Sequence, residues 1–417
     1  MRRRFKEYWN VREGYREWQR LQSIASAVPS SRAPCRLLIV PADPWNVTGS
    51  RGDEAMIMPL VHYFAAKCPE VHIAVITADE KGSSAVRSLG LTPLQAWCRP
   101  HGLLGICEAA AHFDPDWAVI IGADVMDGYY SAAITLTLVA TADLLACSGC
   151  RTAILGFSFN SAPRQSLKRA FARLSPQVVI NVRDPVSLER FARFTPTKAR
   201  LVADAAFMLS PETNFPKYQT TLDWVKQQHQ AGNTVLGVNV HPMLIKNARD
   251  EEVLQLATGF AGTLARLGMM RPVSFMFLPH DFRAGFADNR CLDPMAKQLC
   301  PLFSNRILHL GSARTAAELK ALAGLTDGVV SSRLHLAIAA LGMGKPALVF
   351  NYQDKFQGLL RHFGLSDWLV MPAPDDSNSA ELLATLGQFV DELSALRSQV
   401  VEKLPAVLAL SKLNLDI

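Results

Sequence analysis

The sequence predicts an α/β protein built as two doubly wound, Rossmann-like domains that face each other across a cleft. Three observations predict it. Short apolar runs alternate with amphipathic stretches, the rhythm of parallel strands joined by crossover helices. That rhythm runs once, breaks at the proline-bearing polar stretch "SPETNFPKYQTT", and runs again. With 417 residues and 49% hydrophobic content, the chain also has more apolar material than a single core organises.

The first element, residues 1–32, reads as a basic helical extension. "MRRRFKEYWNVREGYREWQR" sets Arg2, Arg3, Arg4, Lys6, Arg12, Arg16 and Arg20 against Glu7, Glu13 and Glu17, with aromatics between them. The pattern suits a helix touching anionic lipid at an inner membrane face, or a partner. It equally suits a solvated terminal helix whose aromatics lie on the body of the protein. No apolar run precedes a small-residue cleavage site, so a cytosolic protein is expected. The longest apolar stretch, "AAITLTLVATADLLA", is interrupted by Asp143 and is too short to span a bilayer.

Residues 33–212 form the first predicted domain, with strands at "RLLIVPA", "HIAVITA", "WAVIIGA", "TAILGF" and "QVVINV". Residues 213–417 form the second, with strands at "NTVLGVNV", "VSFMFLP", "RILHL", "DGVVSS" and "PALVFNY" and a long amphipathic helix at the end. Two facing sheets of this kind resemble the GT-B arrangement of glycosyltransferases. Fold alone assigns no chemistry, so the residues at the strand ends must decide.

Cysteine usage and charge narrow the classes. Eight scattered cysteines without paired spacing argue against a disulfide framework, and the lone "CSGC" at Cys147–Cys150 reads as small residues at a helix end. No spacing suggests a metal site. A net charge of +6 suits anionic small molecules or an anionic membrane face better than nucleic acid, because aromatics interleave with the basic residues only at the N-terminus.

Four segments place reactive groups at strand ends. In "NVTGSRGDEAMI", Gly49 and Gly52 permit a tight turn, and Asp53 or Glu54 either caps the helix or serves as a base. In "NVRDPVSLERF", Arg183 suits binding of a carboxylate or phosphate, or an ion pair with Asp184 or Glu189, while Pro185 opens a helix. In "FLPHDFR", His280 and Asp281 are acid–base candidates or turn residues. In "SSRLHLAIAALGMGKPALVFNYQDK", Arg333 and His335 fall at the first turn of a helix, with Leu334 between them, and Lys355 follows the next strand. Three cationic or titratable groups on adjacent strand ends point to an anionic ligand.

This last stretch resembles the C-terminal signature of the polysaccharide pyruvyl transferase family: an R-x-H element, a helix, G-x-P, a strand, then Y and K. "GSRGDEAMI" is similar to the family's glycine-acidic loop, although Arg51 stands where an uncharged residue is common. "VRDPVSLE" is similar to its central arginine motif, and "VADAAFML" to the segment that ends its first domain. The resemblance implies transfer of pyruvate from phosphoenolpyruvate to sugar hydroxyls, giving a cyclic ketal on a cell-surface polysaccharide or its lipid-linked precursor. On that reading His335 is the general acid and Arg183, Arg333, Leu334 and Lys355 bind substrate. Asp53 is then the second catalytic residue and Gly52 and His280 also bind substrate, Asp53 and His280 on the acceptor side. No cofactor or metal is called for, phosphoenolpyruvate being the co-substrate, and a homo-oligomer is compatible with the sequence. A nucleotide-sugar glycosyltransferase of the same two-domain build, or a non-catalytic glycan-binding relative, are the alternatives.

Overall fold

Parallel strands form at each of the ten expected apolar runs, and three short edge strands add to them. The computed structural model describes residues 2–23, 35–97, 102–311, 314–351, 354–375 and 377–417, with backbone only for 2–6. The chain divides into two compact units. The N-terminal unit comprises residues 1–48, 56–205 and 409–417; the C-terminal unit comprises 49–55 and 206–408. Residues 49–55 thus group with the C-terminal unit and 409–417 with the N-terminal one, each apart from its neighbours in sequence.

Among the described residues the N-terminal unit holds seven strands: β1 (Arg36–Val40), β2 (His72–Thr77), β3 (Thr92–Gln95), β4 (Trp117–Ile120), β5 (Arg151–Phe157), β6 (Val179–Val182) and β7 (Arg200–Leu201). They pair in the order β3-β2-β1-β4-β5-β6-β7, all parallel. The helices are α1 (Arg2–Gln22), α2 (Arg51–Lys67), α3 (Glu80–Ser88), α4 (Gly102–Phe113), α5 (Ala132–Cys147), α6 (Lys168–Arg173) and α7 (Pro185–Phe194). Because β1, β4 and β5 are covered on both faces, they are apolar along nearly their whole length, as buried parallel strands must be. Helix α1 packs on α4 and α5 with Val11, Trp18 and Leu21 buried, and the indole of Trp18 donates to the buried Asp143 at 2.8 Å. That contact explains the acidic residue in the middle of α5. One finding departs from the expected free thiols: Cys35 and Cys68 form a disulfide, with Cα atoms 6.3 Å apart. They are separated by 33 positions, a spacing that carries no signal by itself. Cys147 and Cys150 are free.

Among the described residues the C-terminal unit has six parallel strands: β8 (Thr234–Asn239), β9 (Val273–Phe277), β10 (Ile307–His309), β11 (Gly328–Ser331), β12 (Ala347–Phe350) and β13 (Val370–Met371). Their order, β10-β9-β8-β11-β12-β13, reverses between β8 and β11. Its helices are α8 (Tyr218–Gln230), α9 (Asp250–Met270), α10 (Asn289–Leu299), α11 (Ala316–Leu325), α12 (Leu334–Gly342), α13 (Phe356–Arg361) and α14 (Ser379–Lys412), the last ending in the N-terminal unit. Among the described residues no helix is long and apolar enough to cross a membrane.

Candidate active site

Doubly wound sheets gather ligands where the strand order reverses, beyond the carboxyl ends of the strands. In the C-terminal unit that point lies between β8 and β11, and the chain leaves these two strands as "NVHP" and "SSRLH". The buried His241 follows β8, and its Nε2 lies 3.0 Å from the carbonyl oxygen of Ser332, which follows β11. A carbonyl only accepts, so Nε2 carries the proton. Burial, with Arg333 and Lys355 nearby, holds the His241 pKa well below the usual histidine range, and the ring is neutral.

Arg333 is the hub of the site. It caps α12 from an extended backbone, and its side chain is almost wholly buried. Nε and Nη2 donate to Asp288 Oδ1 at 2.9 and 2.7 Å, Nη2 also donates to the carbonyl of Phe286 at 2.8 Å, and Nη1 lies 3.1 Å from Asp281 Oδ2. The other oxygen of Asp288 accepts from Asn239 Nδ2 at 2.7 Å and from the backbone N–H groups of His280 and Asp281 at 2.8 and 3.1 Å. Burial raises the Asp288 pKa and Arg333 opposes it. All of these partners are donors, an arrangement that suits the carboxylate. Asp281 is gripped from its other side by Arg283, at 2.6 Å from Oδ2. Two arginines therefore offset two aspartates, and the loop from 280 to 288 is fixed to the start of α12.

The glycine loop joins this network. Ser50 bridges Asp281 in an antiparallel pair, Arg51 N–H donates to the carbonyl of His280 at 3.2 Å, and Gly52 backs onto the ring of His335. A Cβ at position 52 would fall 2.2 Å from His335 Nδ1, closer than any side chain can sit. Glycine is thus required by approach. His335, half-buried at the second position of α12, stacks parallel to His280 with ring centroids 6.4 Å apart and planes 8° apart. His280 is buried, burial and the neighbouring His335 and Arg333 push its pKa well below the ordinary value, and its Nδ1 has no hydrogen-bond partner among the described residues. Lys355, buried at the N-terminal boundary of α13, completes the set from the end of β12.

Gly52, His280, Arg333, Leu334, His335 and Lys355 therefore all belong to the C-terminal unit and stem from its strand ends or the 49–55 loop. Several surroundings differ from those the sequence suggests. Arg333, expected to bind an anion, is engaged by two carboxylates and a carbonyl. Leu334 is a buried apolar residue at the first position of α12. Of the two acids in the loop, Glu54 does not cap its own helix: it accepts the N–H of Ala316 at the start of α11 and pairs with Arg51 at 2.7 Å. Asp53 is half-buried in the first turn of α2. The charge of Arg51 is thus offset within its own loop, and its guanidinium also lies over the ring of Phe282. Arg183 belongs to the N-terminal unit, where it is buried at the end of β6. It donates to Ser158 Oγ at 2.7 Å and pairs with Asp204 at 2.8 Å, in place of Asp184 or Glu189. Asp184 instead caps α7 through the N–H of Ser187.

His241, Asn239, Arg283 and Asp288 escaped the sequence reading. His241 carried the same signal as His280, a histidine directly after an apolar strand. Asp288 carried none, because its partner is 45 residues away. Among the described residues no group of His, Cys, Asp or Glu side chains is arranged to hold a metal ion.

The model of the family described as polysaccharide pyruvyl transferase matches residues 51–354. No curated protein matches by sequence. Among solved structures, the chain is similar to a glycosyltransferase from Rickettsia africae, with 10% identity over 92% of this chain and 99% of that one and a TM-score of 0.53. It is also similar to UDP-GlcNAc 2-epimerase from Neisseria meningitidis bound to UDP-GlcNAc, with 13% identity, coverage of 88% and 94%, and a TM-score of 0.52. A UDP-glucose:anthocyanidin 3-O-glucosyltransferase in complex with UDP gives 12% identity, coverage of 90% and 95%, and a TM-score of 0.56. At these identities the likeness is one of fold, the two-domain GT-B build.

Proposed function

Since this chain belongs to the polysaccharide pyruvyl transferase family, we propose that it transfers pyruvate from phosphoenolpyruvate to two hydroxyls of one sugar, forming a ketal on a cell-surface polysaccharide or its lipid-linked precursor. The observation that supports it most is the convergence of His335, His280 and the Gly52 backbone in the unit whose strand-order reversal carries His241, with Lys355 near that histidine.

The chemistry needs an acid, a fixed positive charge and a rigid frame. His335 protonates the methylene carbon of the enol, leaving an oxocarbenium-like centre that the first sugar hydroxyl attacks. The C–O bond to phosphate then breaks, and the second hydroxyl closes the ketal. Of the two hydroxyl protons, one replaces that spent on the methyl group and the other leaves with phosphate. Lys355 supplies charge for the phosphate or carboxylate. Neutral His280, parallel to His335, is suited to hydrogen-bond a sugar hydroxyl without adding charge beside the acid. Arg333 acts through Asp288 and Asp281, holding the loop that carries His280 against the helix that carries His335. Asp53 is a further base on the acceptor side.

Calorimetric titration with phosphoenolpyruvate, nucleoside diphosphates and UDP-sugars tests this reading, combined with phosphate release in the presence of saccharide acceptors. Phosphoenolpyruvate should bind both the parent and His335→Ala, while turnover in the variant falls by ~100-fold or more, the scale of a positioned acid. Binding of nucleotides alone would move the protein to sugar transfer from a nucleotide donor.

A further inference from the structure

Charge is distributed unevenly over this protein. Residues 2–20 and 161–173 hold eleven arginines and lysines against three glutamates, a surplus of eight, while the whole chain has a net charge of +6. The positive excess of the molecule therefore lies entirely in these two segments, and everything else is slightly negative.

Folding places the two segments side by side in the N-terminal unit. Tyr15 Oη donates to the carbonyl of Ser166 at 2.8 Å, and the guanidinium groups of Arg169 and Arg173 lie over the rings of Tyr15 and Trp18 at 5.7 and 6.0 Å. Because α1 buries Val11, Trp18 and Leu21, it turns Arg12, Arg16 and Arg20 outward, and Arg164, Lys168 and Arg169 are exposed beside them. The acids are used differently. Glu7 and Glu17 accept the N–H groups of Ala132 and Leu104 in the first turns of α5 and α4, so two of the three negative charges are committed to the fold.

Apolar surface gathers at one end of this basic face. Tyr8 and Trp9 are 67% and 54% exposed, far more than Tyr15 and Trp18 on the same helix. The bond from Ala132 N to Glu7 brings them beside the turn bearing Tyr129 and Tyr130, which are 42% and 44% exposed. Tyrosine and tryptophan are stable where one end of the ring is in apolar surroundings and the other in water, as at a lipid–water boundary. Clustered basic residues next to such rings match an anionic headgroup layer.

We propose that this face docks on an anionic phospholipid bilayer, with α1 lying on the surface, its arginines on headgroup phosphates and Tyr8 and Trp9 in the interface. A soluble polyanion would need the charge but not the aromatics. The inference is independent of the chemistry proposed for the C-terminal unit.

Co-sedimentation of the full chain with vesicles tests it. The protein should pellet with phosphatidylcholine vesicles containing phosphatidylglycerol, fail to pellet with phosphatidylcholine alone, and be released by 0.5 M salt as an electrostatic contact is, within a Debye length shorter than about 5 Å. The exposed-site variant Arg164→Glu/Lys168→Glu should bind the anionic vesicles at least about thirtyfold more weakly. Tyr8→Ser/Trp9→Ser should also bind them more weakly, with its affinity for soluble polyphosphate unchanged. Absence of binding to anionic vesicles, or binding that neither variant weakens, would overturn the proposal. Equal losses on vesicles and polyphosphate in the aromatic variant would do the same, and both variants should melt at the parental temperature.

Discussion

The backbone of Gly52 lies so close to the ring of His335 that a single added carbon would sit 2.2 Å from Nδ1. The glycine loop and the R-x-H turn are 283 positions apart in sequence, yet each sets the position of the other. Gly52→Ala should therefore displace the imidazole. We expect turnover to fall by about 100-fold, the effect of moving a catalytic group by about 1 Å. Steady-state kinetics beside a melting curve checks this, since parental kinetics would show that His335 tolerates displacement.

Arg333 and Asp288 form a buried pair, and removing one partner strands the other charge. Arg333→Ala should cost about 3 to 5 kcal/mol in a urea titration. Arg193→Ala, which removes an exposed pair with Glu189, should change stability by less than about 1 kcal/mol. Similar losses in both variants would mean that the site arginine is not the keystone its bonds imply.

His241 and His280 are held neutral in the fold with pKa values well below that of the unfolded chain. As pH falls through about 6.5 the unfolded state takes up protons that the native state refuses, so stability present at pH 7 and above is lost, by at most about 2.7 kcal/mol per pH unit for two groups. Glu54 and Asp288, whose pKa values are raised, act in the opposite sense at lower pH. The contrast of interest is thus the parent against His280→Asn between pH 7 and 5.5, where the variant should show the shallower slope.

Lys320 on α11 is buried, donates to the carbonyl of Phe207 at 2.8 Å, and has its pKa lowered by burial to about 8. Below that pH both native and unfolded lysines are charged and the fold carries the cost of burying the ion. Above it the native amine sheds its proton first, so stability should rise by about 1 kcal/mol between pH 7 and 9. Lys320→Met should abolish that rise, and a rise of the same size in the variant would assign it to another group.

How much of this was legible in the sequence depended on how local each signal is. The ten expected strands declare themselves through apolar runs, most of them because strands covered on both faces need them. β3, with Pro93 inside "TPLQ", and the two-residue strands β7 and β13 have no such run and exist only by pairing at sheet edges. At the site, strand-end position was enough to pick out His280, Arg333, His335 and Lys355. It could not show that Arg333 would turn inward to Asp288, or that Arg183 would choose Asp204 over two nearer acids. Those choices are made by tertiary contacts between segments with no common pattern.

The disulfide between Cys35 and Cys68 turns residues 35–68 into a closed ring that includes the whole loop from Gly49 to Glu54. A protease that cuts within that ring, for example among residues 43–49, leaves two fragments that migrate as one until a reductant separates them. The segment that presses Gly52 against His335 is thus tethered at both ends, and breaking one peptide bond in it need not release the glycine from its seat.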